Sequence, residues 1–151
     1  MSIASQTLVT MGDLEVVTGF GDLVCTGLGS CIGICALDPV AHVGAMAHVM
    51  LPGEEGSNDL TRPAKYATQG VRALLEAMEA RGATRANMGV ALAGGAQVFG
   101  FNATPGLDIG SRNAEAVMAQ LALLRWKPAA ADLGGNMGRT LVMSMKPPVH
   151  A

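Results

Sequence analysis

Apolar and polar positions change rhythm several times along these 151 residues, and each change marks an element. The short apolar runs "LEVV" and "CIGICAL" read as strands within residues 12 to 26 and 31 to 37. The glycine-rich "TGLGS" between them calls for a sharp backbone feature at Gly27 to Ser30. "DPVA" places Asp38 and Pro39 at the first two positions of a type I turn, and "HVGAMAHVML" resumes the apolar run, so the two strands fold back as a hairpin. After the polar "GEEGSNDLTRP" the period becomes helical. Ala67, Val71, Leu74, Leu75 and Met78 share one face, and Gly82 stands where a left-handed stop is expected. "NMGVALAGGAQVFGF" reads as a buried strand broken at Gly94 and Gly95. "SRNAEAVMAQLALLRW" reads as a second helix, with Ser111 or Asn113 near its N-cap and Val117, Leu121 and Leu124 inward. A glycine-rich turn, "ADLGGNMGR", then precedes "TLVMSM", which alternates like an edge strand.

Helices and strands do not alternate regularly and no internal repeat is present, so the expected class is α+β: one domain over residues 1–151, with a mixed, largely antiparallel sheet and two main helices. Residues 1–11 and 147–151 are expected as flexible ends.

Composition narrows the function classes. Lys and Arg are scattered singly and the formal charge is −2, which leaves no basic track for a nucleic acid. The N-terminus has no basic segment ahead of an apolar block, and no apolar run approaches the ~20 residues of a spanning helix. The expectation is a cytoplasmic protein without direct membrane insertion. Cys25, Cys31 and Cys35 form an odd set within a short stretch, which fits reduced thiols better than a disulfide framework.

Candidate chemistry centres on Cys31 and His48. With the turn centred between Pro39 and Val40, the hairpin pairs residues whose numbers sum to 79, and so sets 31 opposite 48. Directly opposed residues point to one face with Cβ atoms ~4.5–5.5 Å apart. An imidazole at that range can take the proton of a thiol whose free pKa is near ~8.5. Gly27 and Gly29 would let Cys31 sit at a bend with backbone N–H groups free to hold an oxyanion, a setting suited to acyl transfer. Two other readings stand beside this one. Cys31 could be a small buried hydrophobe, since a one-residue slip moves His48 to the other face. A zinc site would collect Cys25, Cys31, Cys35 and His48, but their spacing lacks the pattern of compact sites. Cys35 lies mid-strand and reads as core; His42 follows the turn and reads as solvent-facing.

From "GLGSC" (27–31) and "GAMAHVMLP" (44–52), the chain resembles the chemoreceptor glutamine deamidases of the CheD type. "AKYA" (64–67), "LAGGAQVF" (92–99), "IGSRNAEAV" (109–117) and "DLGGNMGRT" (132–140) continue the resemblance in the same order. It implies an α/β sandwich similar to that of bacterial toxins that deamidate host glutamines. It also implies conversion of glutamines on the cytoplasmic helices of chemoreceptors to glutamate with release of ammonia, together, in some members, with hydrolysis of glutamyl methyl esters. The family's nucleophile falls on Cys31 and its histidine on His48. Its threonine, six positions before the nucleophile, falls on Cys25, with Thr26 next to it. Thr26 is the expected third member, reached by a local backbone shift, and Cys25 is the alternative. Neither cofactor nor metal is implied. The implied partners are chemoreceptor cytoplasmic domains and a CheC-type phosphatase, which supports a second reading as a regulatory binding module for that phosphatase. A third reading is a thiol hydrolase for some other amide or ester.

Overall fold

Period-two alternation along the hairpin sorts the chain into layers, as the computed structural model shows for residues 6–97 and 108–146. In chain order the elements are β1 (Gln6–Leu8), β2 (Leu14–Thr18), β3 (Gly21–Leu28), β4 (Ile32–Asp38), β5 (Val43–Val49), α1 (Ala67–Ala80), β6 (Gly89–Gly94), α2 (Ile109–Leu123), β7 (Ala130–Leu133) and β8 (Arg139–Met145). Five strands form a central sheet in the order β2-β5-β4-β6-β7, and three form a second sheet in the order β1-β3-β8. The β1/β3 and β6/β7 pairs are parallel, whereas the other pairs are antiparallel. The mixed, mainly antiparallel α+β class read from the sequence holds.

Even-numbered positions of β4 and odd-numbered positions of β5 face the helices. Ile32, Ile34, Ala36, Val43, Ala45, Ala47 and Val49 pack there with Val71, Leu74 and Met78 of α1 and with Val117 and Leu121 of α2. The expected face of α1 is buried throughout, and Gly82 takes the left-handed conformation just past its end (φ 91°). On the other face Met46 meets Leu23, Cys25, Leu28, Met143 and Met145 of the second sheet.

Three expectations change. First, Val43 pairs with Asp38 and Gly33 with His48, so the hairpin sum is 81 and Cys31 is not directly opposite His48. The cause is Asp38. Its Oδ1 accepts the N–H groups of Val40 and Ala41 (both 2.9 Å), and His42 has φ 55°, which widens the connection to the four residues 39–42. His42 there is half-buried rather than turned to solvent. Second, α2 is capped by Asp108, whose side chain accepts the Ser111 N–H (3.3 Å), and Asn113 lies inside the helix, fully buried. Third, the stretch 6–11 is built into the fold: β1 pairs with β3, and Val9 is buried. Residues 1–5 and 147–151, and the continuation of the β6 reading over residues 98–101, lie outside the described residues.

Candidate active site

The two-residue shift in register leaves the parity of Cys31 and His48 intact, because only an odd slip turns a side chain to the opposite face. Gly33 pairs with His48, and Cys31 precedes Gly33 by two residues on the same side, packing against the cluster between the sheets. Such diagonal neighbours have Cα atoms ~7–8 Å apart, within reach of a side-chain rotation. Gly33 itself leaves the space above it to the second sheet. A Cβ there would lie 3.0 Å from side-chain carbons of both Leu28 and Leu141, and 3.6 Å from the Cys25 Cβ.

His48 is 4% exposed, and its Nδ1 lies 3.0 Å from the Val9 carbonyl oxygen. A carbonyl can only accept, so Nδ1 carries a proton, and in the neutral imidazole Nε2 is then the bare acceptor. Nε2 is buried without a hydrogen-bond partner among the described residues. The backbone on both sides is fixed as well: the His48 N–H donates to the Asp13 carbonyl (3.0 Å), and the Gly12 N–H donates to the His48 carbonyl (2.8 Å).

The three thiols are free and differ in setting. Cys31 is half-buried, and its burial pushes the thiol above the ordinary range. Cys25 is fully buried and pushed up to about 12, chiefly by burial and then by the neighbouring Cys31 and Cys35. It remains a thiol at any physiological pH. Cys35 is half-buried, with burial outweighing the opposing backbone N–H groups. Among the described residues, no group of three or more His, Cys, Asp or Glu side chains is placed to hold a metal ion.

Thr26 is exposed and hydrogen-bonds neither imidazole nitrogen. The reason is alternation along β3, which turns Leu23 and Cys25 inward and leaves Thr26 outside. The register break that follows, with Gly27 at φ 62°, comes too late to reverse it. The partner of Nδ1 is instead the Val9 carbonyl. No sequence signal pointed to Val9, because a backbone acceptor carries no residue type.

The bend bearing Cys31 is held by donors from distant segments. Ala96 N–H donates to the Gly29 carbonyl (2.8 Å), Asn113 Nδ2 to the Ser30 carbonyl (2.8 Å), and Gly95 N–H to the Cys31 carbonyl (3.0 Å). Gly94 has φ 119°, and a Cβ there would overlap the Cys31 carbonyl oxygen, so this position admits only glycine. Arg139, paired with Leu28 just before the bend, donates from Nη1 to the carbonyls of Gly134 (2.5 Å) and Met137 (3.2 Å). Segments quoted above for their resemblance to one family thus converge on a single bend.

The comparisons with known proteins agree with this convergence. The family model described as CheD chemotactic sensory transduction matches residues 50–147. A chemoreceptor glutamine deamidase CheD of Thermotoga maritima is 42% identical over 136 residues, covering 90% of this chain and 83% of the relative. A probable chemoreceptor glutamine deamidase CheD of Symbiobacterium thermophilum is 44% identical over 144 residues, covering 93% of this chain and 87% of the relative. Its counterpart in Syntrophomonas wolfei is 39% identical over 135 residues, covering 89% of this chain and 84% of the relative. A crystal structure of a Neisseria meningitidis protein of the DUF152 family model covers 89% of this chain and 64% of its own, at a TM-score of 0.45 and 12% identity, too distant to bear on the site. With the family match extending over most of the chain and relatives aligned along nearly all of it, this protein belongs to the CheD family.

Proposed function

We propose that this protein deamidates glutamine side chains in the cytoplasmic domains of chemoreceptors, with Cys31 as nucleophile and His48 as general base. The observation that carries the reading is the bare Nε2 of His48, buried on the same face of the hairpin as Cys31 while Nδ1 is tied to the Val9 carbonyl. The names of the relatives supply the substrate class.

Cys31 rests as a thiol. Burial disfavours a thiolate at Cys31, and no hydrogen bond joins it to Nε2. Proton transfer therefore accompanies attack. As Sγ bonds to the side-chain carbonyl carbon, Nε2 takes the thiol proton, and the Val9 carbonyl steadies the imidazolium through Nδ1–H. Collapse of the tetrahedral intermediate breaks the C–N bond, Nε2–H protonates the departing nitrogen, and ammonia leaves a glutamyl thioester on Cys31. Water, deprotonated by Nε2, then attacks the thioester and releases glutamate and the Cys31 thiol. A glutamyl methyl ester enters the same sequence with methanol as the leaving group. A receptor cytoplasmic domain as substrate supports a cytoplasmic location; among the described residues no helix is long and apolar enough to cross a membrane.

The test is peptide-resolved mass spectrometry of a chemoreceptor cytoplasmic fragment incubated with the wild type or with Cys31→Ala. Conversion of specific glutamines by the wild type alone is expected. Equal conversion by Cys31→Ala would overturn the nucleophile. Conversion by neither, with a cognate receptor and folded protein, would favour the regulatory module that binds a CheC-type phosphatase.

A further inference from the structure

Asn113 is out of place by ordinary packing rules. It is fully buried on the α2 stripe that continues through Val117 and Leu121, where an apolar residue would normally sit. Its Nδ2 donates to the Ser30 carbonyl (2.8 Å) and to the Met50 carbonyl (2.9 Å). Two carbonyl acceptors fix the identity of the nitrogen, since an amide oxygen could satisfy neither. The Oδ1 is buried without a partner among the described residues, so what keeps an amide at this position is its two donated bonds. The two carbonyls it joins are the ones that matter to the site: Ser30 immediately precedes the nucleophile, and Met50 follows His48 by two residues.

We propose that Asn113 is a positioning residue for the oxyanion donor of this deamidase, acting through the Ser30–Cys31 peptide. The inference rests on the Cys31–His48 reading above. In a trans peptide the carbonyl and the following N–H point in opposite directions. Asn113 draws the Ser30 carbonyl toward the helix layer, so the Cys31 N–H is turned toward the face between the sheets, where the Cys31 side chain and His48 lie. That N–H has no backbone acceptor among the described residues. The flanking carbonyls of Gly29 and Cys31 are held by Ala96 and Gly95, so the bend cannot swing to another orientation without breaking bonds on both sides of Asn113. A free, fixed N–H beside the nucleophile is what the developing oxyanion of a tetrahedral intermediate requires.

The experiment compares Asn113→Ala and the milder Asn113→Ser with the wild type in two assays. For receptor deamidation, kcat per folded molecule is expected to fall ~10²-fold with KM little changed, as when one oxyanion donor is misplaced. For alkylation of Cys31 by iodoacetamide, a displacement that forms no oxyanion, rate and pH profile should match the wild type. Deamidation within threefold of wild type would overturn the proposal, and so would an equal loss of alkylation, which marks general collapse of the site. If both variants fail to fold, the wild type decides. On forming a thiohemiacetal with a peptide carrying the aldehyde analogue of glutamine, the Cys31 amide proton should shift downfield, and an unmoved resonance would overturn the assignment. Activity retained by Cys31→Ala would instead refute the underlying Cys31 reading, whatever Asn113 does.

Discussion

The two faces of the β4–β5 hairpin are made from alternate residues of the same strands, yet they have opposite characters. Toward the helices lie Ile32, Ile34, Ala36, Val43, Ala45, Ala47 and Val49, a closed apolar surface whose one titratable neighbour, Asp38 at the strand's end, is tied up by backbone N–H groups. Toward the second sheet lie Cys31, Gly33, Cys35, Leu37, Gly44, Met46 and His48, where, Leu37 apart, side chains are small, sulfur-bearing or titratable. One parity supplies the burial that fixes the strands, at ~25 cal/mol for each Å² of apolar surface removed from water. That rigidity lets the other parity carry an unpartnered imidazole nitrogen and a desolvated thiol. Stability and chemistry are thus separated by one residue along the chain, and mutations on the two faces should fail in different ways.

The largest effect expected is at His48. His48→Ala removes the proposed base while leaving the helix-facing core untouched, and kcat should fall by about 10²–10⁴-fold. Stability should fall as well, by ~2–4 kcal/mol, because the buried imidazole leaves a cavity and orphans the Val9 carbonyl, so the kinetic loss is read per folded molecule. Steady-state kinetics alongside urea denaturation would show this, and a variant that loses stability but keeps its turnover would dissolve the contrast. Ile34→Ala attacks the other parity. It should cost about 2–5 kcal/mol of stability while kcat per folded molecule stays near wild type. A large drop in turnover for the folded fraction would show that the faces are coupled more tightly than alternation suggests.

A smaller effect sharpens the comparison at the hairpin's end. The Asp38 carboxyl is held below the usual carboxylate range, most strongly by the Ala41 N–H, then by the Thr84 and Val40 N–H groups against the opposing effect of burial. A depressed folded pKa means that the stabilisation is fully present above the unfolded value near ~4 and is lost as pH falls through the lower folded value. Asp38→Asn cannot accept at both positions, and should cost about 1–3 kcal/mol at neutral pH. The gap from wild type should narrow below about pH 4. Thermal melts across pH 2–7 would check it, and a gap that widens on acidification would have the wrong sign.

Much of this arrangement was legible before any coordinates. The common face of Cys31 and His48 follows from hairpin parity alone and survives an error of two residues in register. The buried face of α1 follows from helical spacing. What could not be read depended on tertiary partners. Asp38 widened the turn because its carboxylate also anchors the Thr84 N–H (2.8 Å), a contact 46 positions away. Asn113 resembled a cap residue because Asn is common there, and only the packing of α2 over the Cys31 bend shows that its amide serves two carbonyls. β1 has three exposed residues and no apolar rhythm; it exists because β3 offers a free edge, and it delivers the Val9 carbonyl to His48. Thr26 was favoured by residue type, whereas strand alternation places Cys25 inward in its stead.

The central claim is a covalent glutamyl thioester on Cys31, and hydroxylamine interception tests it most directly. A receptor fragment turned over in the presence of hydroxylamine should acquire γ-glutamyl hydroxamate at the same positions that otherwise become glutamate, and Cys31→Ala should give neither product. Glutamate formed at saturating hydroxylamine without any hydroxamate, or formed by Cys31→Ala, would contradict the account.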